Sequence, residues 1–187
     1  MTFLFNKDNH FNLANIVTFF NITSGILAIY FLTHSDFFAA ALFAWLAGAF
    51  DIIDGKIARK YNLSTEFGIQ LDSFGDFLSF VIVPVMFIFF GVIDGKEIDI
   101  LNTSFVTFAF IYYVISGLRR LIQFNLNSHV GEVSKHFTGV PTPLGAILLW
   151  CVYLGWIYGI VPNENIVLFL MIVIGYLLNS KVKIPHP

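Results

Sequence analysis

Apolar residues run along this chain in long, nearly unbroken blocks rather than in amphipathic stripes. A helix that crosses a bilayer needs about 20 consecutive, mostly apolar residues. Six blocks meet or approach that length: Leu13–Thr33, Phe37–Arg59, Phe67–Ile93, Asn102–Phe124, Pro143–Ile160 and Asn165–Asn179. The pattern predicts an all-α membrane protein of six transmembrane helices, a single domain over residues 1–187. Before the first block, Met1–Asn12 mixes Phe3, Leu4, Phe5 and Phe11 with Lys7, Asp8 and His10. That mixture suits either a short interfacial helix or a frayed end with incidental aromatics. It lacks the basic flank and small-residue cleavage site of a secretory signal. Internal repeats and low-complexity tracts are absent from the sequence.

Composition agrees with the blocks. Of 187 residues, 57% are hydrophobic and 12% charged, with 23 Phe and a mean hydropathy of +0.80. Soluble domains carry about 25% charged residues, so a soluble core with a charged shell is excluded. The balance of 10 Lys+Arg against 12 Asp+Glu leaves no electrostatic footprint for nucleic acid. Cys151 is the single cysteine and cannot form an intramolecular disulfide.

Basic residues divide unevenly between the connections. One side collects Lys7, Lys56, Arg59, Lys60, Arg119, Arg120, Lys135, Lys181 and Lys183, and the other only Lys96 in the acidic loop Asp94–Asp99. Cytoplasmic loops are enriched in Lys and Arg. Both termini are therefore expected in the cytoplasm of a multi-pass protein of the cell membrane.

The segment from Asp51 to Asp76 carries the chemistry. Asp51 and Asp54 are three residues apart, and Asp72 and Asp76 four apart, so each pair shares a helix face. The 56–66 segment contains a turn, which makes the two helices an antiparallel hairpin. At 1.5 Å per residue, Asp54 lies roughly 9 Å before Lys60 and Asp72 roughly 10 Å after Thr65. Asp51 and Asp76 lie a turn deeper, giving two matching layers. An acid at mid-helix costs about 2.5–3.5 kcal/mol to insert. Four together must be partly protonated or bind cations. With no His or Cys nearby in sequence, the ligand set is all oxygen, which favours Mg²⁺ or Mn²⁺ over zinc. A cluster of this size suits two ions, as in two-metal displacement at phosphorus. Gly55, Ala58 and Gly68 either let backbones approach or leave room for a flat ligand. Glu66 reads as a helix-start residue.

The spacing Asp51-x2-Asp54-Gly55-x2-Ala58-Arg59-x8-Gly68-x3-Asp72-x3-Asp76 resembles the signature of the CDP-alcohol phosphotransferase family, with every fixed position met. Gly117-Leu118-Arg119-Arg120-Leu121, Phe124-Asn125, Phe137-Thr-Gly139-Val-Pro141-Thr-Pro143, the tail Ser180–His186 and the first-helix residues Asn15, Thr18, Asn21 and Gly25 are similar to the membrane-embedded phosphatidylserine synthase branch. Gln123 stands where that branch has a second basic residue.

The resemblance implies a six-helix, usually dimeric membrane enzyme. It would transfer a phosphatidyl-type group from CDP-diacylglycerol or CDP-archaeol to the hydroxyl of L-serine, releasing CMP. It implies that Asp51, Asp54, Asp72 and Asp76 hold the metal ions and that Asp76 is the catalytic base. Gly55, Ala58, Arg59 and Gly68 would line the CDP-lipid site, with Thr18 and Asn21 as further contacts or as helix–helix hydrogen bonders. Arg59 either touches phosphate or pairs with the acids. Arg120 first, with Arg119 and Lys135, would meet the serine carboxylate, since Arg suits bidentate carboxylate recognition; the other reading of Arg119 and Arg120 is positive-inside anchoring and lipid headgroup contact. Two other readings stand beside this one. The acceptor is glycerol phosphate, inositol or inositol phosphate, or the acids line the path of a divalent-cation transporter. The transporter reading lacks the repeats and broken helices common in such proteins. Pro84 is a candidate kink in the third helix but lies beyond Asp76.

Overall fold

The computed structural model describes residues 3–7, 9–95, 100–127, 136–180 and 183–185. The helices are α1 (Leu13–Thr33), α2 (Phe37–Lys60), α3 (Glu66–Asp76), α4 (Val83–Ile88), α5 (Ile100–Asn127), α6 (Thr142–Ile157) and α7 (Glu164–Leu178). A π-helical stretch, Phe77–Ile82, joins α3 to α4 and a second, Phe89–Ile93, prolongs α4, giving one continuous helix over Glu66–Ile93. Among the described residues, four helices are long and apolar enough to cross a membrane: Leu13–Thr33, Phe37–Lys60, Glu66–Ile93 and Asn102–Leu126. Thr142–Ile157 and Glu164–Leu178 are equally apolar but shorter, at 16 and 15 residues. Before Asn12, the described residues form one three-residue 3₁₀ turn, Phe3–Phe5, in place of an interfacial helix.

Contacts divide the chain into two compact units: residues 1–79 with 123–134, and residues 80–122 with 135–187. In the first, α1 packs along α2 and against α3. Side-chain caps set the starts of these helices. Asn12 accepts from Asn15 N, Asp36 from Ala39 N and Thr65 from Gly68 N, each satisfying an orphan donor. The α2–α3 turn is closed by Asn62 at φ 53 and by Leu63, whose N–H donates to Ala58 O at 2.9 Å. Leu63 is only 1% exposed, so an apolar plug fixes where the hairpin reverses. Asn is among the few residues with a side chain that tolerates this left-handed conformation. Glu66 sits in the first turn of α3, as the sequence predicts.

The second unit packs α6 on α7 and α4 on α6, with Phe87 edge-on to Trp150 at 4.9 Å. Residues His136–Thr138 (β1) pair antiparallel with Lys183–Pro185 (β2), a small ribbon that apolar periodicity does not announce. Beside it Gly139 has φ +90, and a Cβ there would lie 2.7 Å from Leu178 O and 2.8 Å from Ser180 O. Only glycine fits that backbone crossing.

The kink expected at Pro84 takes the form of a widened helix. Proline has no N–H for the carbonyl four residues back, and its ring crowds that carbonyl. The π-helical stretch Phe77–Ile82 lies immediately before α4, in which Pro84 occupies the first turn. It follows directly on Asp76, and π segments of this kind recur at functional sites.

Candidate active site

The acids are delivered by two rigid helices. Asp51 and Asp54 stand one turn apart on α2, and Asp72 and Asp76 one turn apart on α3. One carboxylate oxygen from each of Asp51, Asp72 and Asp76 lies within 4.8 Å of the other two. Asp54 lies outside this trio. It is 4% exposed, with the Thr18 hydroxyl of α1 within reach of its carboxylate. The two matching layers expected from sequence are thus a tight trio flanked by one acid held beside α1.

These residues fit a hard divalent cation. All the donors are carboxylate oxygens, the ligand type that Mg²⁺ and Mn²⁺ take. Among the described residues, Asp54 Oδ2 and Asp76 Oδ1 are buried side-chain oxygens without a hydrogen-bond partner. Buried polar atoms are otherwise almost always paired, and carboxylates this close in an apolar setting repel strongly unless charge compensates. Arg59 faces Asp54 and Asp72 from the last turn of α2.

Small residues surround the acids for separate reasons. A Cβ on Gly55 would lie 3.3 Å from the Arg59 guanidinium, so Gly55 gives that cation its place. A Cβ on Gly68 would lie 2.9 Å from Asn15 Oδ1, so Gly68 lets α3 close on α1. Ala58 is half-buried on the same helix as Arg59. Asn21 accepts from Ser79 Oγ at 2.6 Å, and its Nδ2 lies 3.1 Å from where a Gly75 Cβ would sit. Asn21 therefore performs the helix–helix bonding that was one of its two readings, while Thr18 stays beside Asp54. Asn15 is turned to the N-terminal segment, its Nδ2 donating to His10 O at 3.0 Å.

One element of this unit carries no role in the motif spacing. Ser73, next to Asp72, accepts from Asn125 Nδ2 at 2.8 Å and donates to Ile69 O at 3.0 Å. The end of α5 is thereby tied to the acid-bearing helix within one unit. The Phe124-Asn125 pair quoted above was the available signal, but only the fold reveals its partner.

The serine-site candidates fall in the second unit or outside the described residues. Arg120 is 5% exposed and donates from Nε to Val140 O at 3.1 Å, holding the backbone that leads into α6. Arg119, its neighbour, is exposed and lines a cleft with Tyr112, Tyr176 and Asn179. Consecutive helical residues diverge by about 100°, so the two arginines serve different faces. Lys135 lies outside the described residues.

Residues 11–178 match the family model described as CDP-alcohol phosphatidyltransferase. The chain belongs to that family. Members of the family are transferases of phospholipid synthesis. The chain is 31% identical to the archaetidylserine synthase of Methanothermobacter thermautotrophicus over 176 residues, covering 93% of this chain and 70% of that protein. It is 30% identical to the CDP-diacylglycerol–serine O-phosphatidyltransferase of Bacillus subtilis, covering 91% of this chain and 88% of that one. A protein with the same name in Saccharomyces cerevisiae is 29% identical, with 98% and 74% covered.

Proposed function

We propose that this CDP-alcohol phosphatidyltransferase moves a phosphatidyl-type group from a CDP-lipid to the hydroxyl of L-serine and releases CMP. The observation that carries the reading is the convergence of Asp51, Asp72 and Asp76 from two helices. The serine acceptor is supported by the names of the relatives, which are serine transferases in an archaeon, a bacterium and a yeast.

Asp51, Asp54, Asp72 and Asp76 are the residues that would hold divalent cations, two per site. Such ions neutralise a diphosphate and the charge that develops on departing CMP. Asp76 takes the proton from the serine hydroxyl. The serine oxygen then forms its bond to the lipid-side phosphorus as the bond to the CMP phosphate breaks. Gly55, Ala58 and Gly68 border the nucleotide and diphosphate, Arg59 meets phosphate, and Thr18 and Asn21 add polar contacts from α1. Arg120, Arg119 and Lys135 supply positive charge for the serine carboxylate. All six apolar helices span the membrane in this reading, with both termini and the acidic site toward the cytoplasm, and the enzyme works as a homodimer.

The test is CMP release in detergent from a CDP-lipid with Mg²⁺ or Mn²⁺. L-Serine, glycerol 3-phosphate, inositol and inositol phosphate are offered side by side. Turnover with serine alone is expected. Turnover with another acceptor and none with serine would remove the serine assignment.

A further inference from the structure

Asp76 is the last residue of α3, and the π-helical stretch Phe77–Ile82 begins directly after it. A π-helix bonds residue i to i+5 in place of i+4, and helices bend where a turn is widened in this way. Asp76 Oδ1 has no hydrogen-bond partner among the described residues. The carboxylate therefore takes its direction from the backbone beneath it, and that backbone depends on what holds the helix on both sides of the junction. Gly75 lies on the near side and Ser79 on the far side.

One side chain of α1 reaches both. Asn21 accepts from Ser79 Oγ at 2.6 Å. Its Nδ2 rests against Gly75, 3.1 Å from where a Cβ would stand. Asn21 is fully buried and Ser79 is 5% exposed. Asn21 Nδ2 has no hydrogen-bond partner among the described residues, so the bond from Ser79 sets which way the carboxamide faces.

Ser79 departs from the habit of other hydroxyls in these helices. Thr18, Thr23, Ser73, Ser104 and Thr107 each donate to the carbonyl four residues back, a common use of Ser and Thr inside a helix. Ser79 donates across to α1 instead. Gly25 makes the room for this. A Cβ there would lie 3.1 Å from Ser79 Oγ and 3.1 Å from Leu78 Cδ2. Asn21 and Gly25 are four residues apart and share a face of α1, which seats the first turn past Asp76.

We propose that Ser79 is a positioning residue for Asp76. Through Asn21 it locks the junction and keeps the Asp76 carboxylate in reach of Asp51 and Asp72. This role rests on the reading that the trio holds divalent cations.

The experiment is Mn²⁺ binding to the full chain in detergent, read by electron paramagnetic resonance well below the melting temperature. No substrate is present, which sets aside any part that Asn21 plays toward the CDP-lipid. The wild type should bind Mn²⁺ saturably. Ser79→Ala should raise the half-saturating concentration about tenfold. Ser79→Cys keeps the packing but offers only a weak donor, and should raise it at least about threefold. Asn21→Ala should match Ser79→Ala. The double variant should bind no more weakly than Asn21→Ala alone, because Ser79 acts through Asn21. Ser79 variants that melt lower yet bind Mn²⁺ like the wild type would show that the bond only packs α1 on α3, and would overturn the proposal. Additive losses in the double variant would overturn it as well. A wild type that binds no Mn²⁺ would overturn the metal reading of the trio, and the role of Ser79 with it. None of these outcomes depends on which alcohol accepts the transferred group.

Discussion

Asp51 of α2 and Asp76 of α3 present carboxylate oxygens within 4.8 Å of each other, with Asp72 inside the same limit. Neither helix alone brings these acids together; the turn at Leu63 does. Carboxylates this close repel one another, and a cation held between them would offset that repulsion. Binding that occurs only in the folded state stabilises by about 2.7 kcal/mol at a hundredfold excess over Kd. Titration with Mg²⁺ or Mn²⁺ should therefore raise the melting temperature of the detergent-solubilised protein, and EDTA should reverse the rise. A melting temperature indifferent to divalent ions would contradict a metal role for the trio.

The same pair predicts a separation between folding and catalysis. Asp76→Asn and Asp72→Asn keep side-chain shape and remove one of the repelling charges. Each should melt at or above the wild-type temperature in EDTA. Each should lose the divalent-dependent rise, and CMP release should fall by at least about a hundredfold, the scale of losing a general base. Asp76→Asn with wild-type turnover would remove its proposed role as base.

Much of this site is legible in the sequence because helical geometry is local. Asp51, Asp54, Asp72 and Asp76 share faces by spacing alone, and the first apolar block has the same limits as α1. The features that escape depend on distant partners. The β1–β2 ribbon joins segments far apart in the chain, and Ser73 becomes meaningful only through Asn125. Asp54 stands outside the trio, beside Thr18 of another helix. The π-helical stretch before α4 is half visible, since Pro84 forecasts a disturbance but not its form.

Gly68 tests the closeness of α1 and α3. Its substitution by Ala would set a methyl 2.9 Å from Asn15 Oδ1, closer than side-chain carbons come. Overpacking of this kind costs about 1–3 kcal/mol. Gly68→Ala should lower the melting temperature and reduce turnover. Shortening the obstacle with Asn15→Ser should recover part of both, because contacting residues couple non-additively. Additive losses in the double variant would show that Gly68 matters for room around substrate rather than for packing.

Gly139 should be less forgiving. Its φ of +90 and the two carbonyl oxygens below 3 Å from a Cβ leave no relaxed position for Ala. Backbone strain alone is about 1–3 kcal/mol, with the clash added. Gly139→Ala should lower the melting temperature more than Gly55→Ala, whose Cβ would meet only the movable end of Arg59. Equal melting temperatures would mean that the turn before α6 does not need the crossing seen here.

Arg120 carries two assignments that kinetics can divide. Its Nε bond to Val140 O makes it a clamp on the segment entering α6. Removing the donor leaves a carbonyl at a buried residue without that partner, at a cost of about 1–3 kcal/mol. Arg120→Ala should accordingly destabilise the protein whatever its role toward serine. Arg120→Lys keeps the charge but lacks the planar fork that binds a carboxylate with two hydrogen bonds. If Arg120 meets serine, the Lys variant should raise KM for serine about tenfold while KM for the CDP-lipid stays within twofold. A purely structural clamp would instead lower kcat and disturb both KM values together, since a displaced α6 segment has no reason to discriminate between donor and acceptor. Steady-state kinetics with each substrate varied in turn, on protein matched for melting temperature, decides between the two.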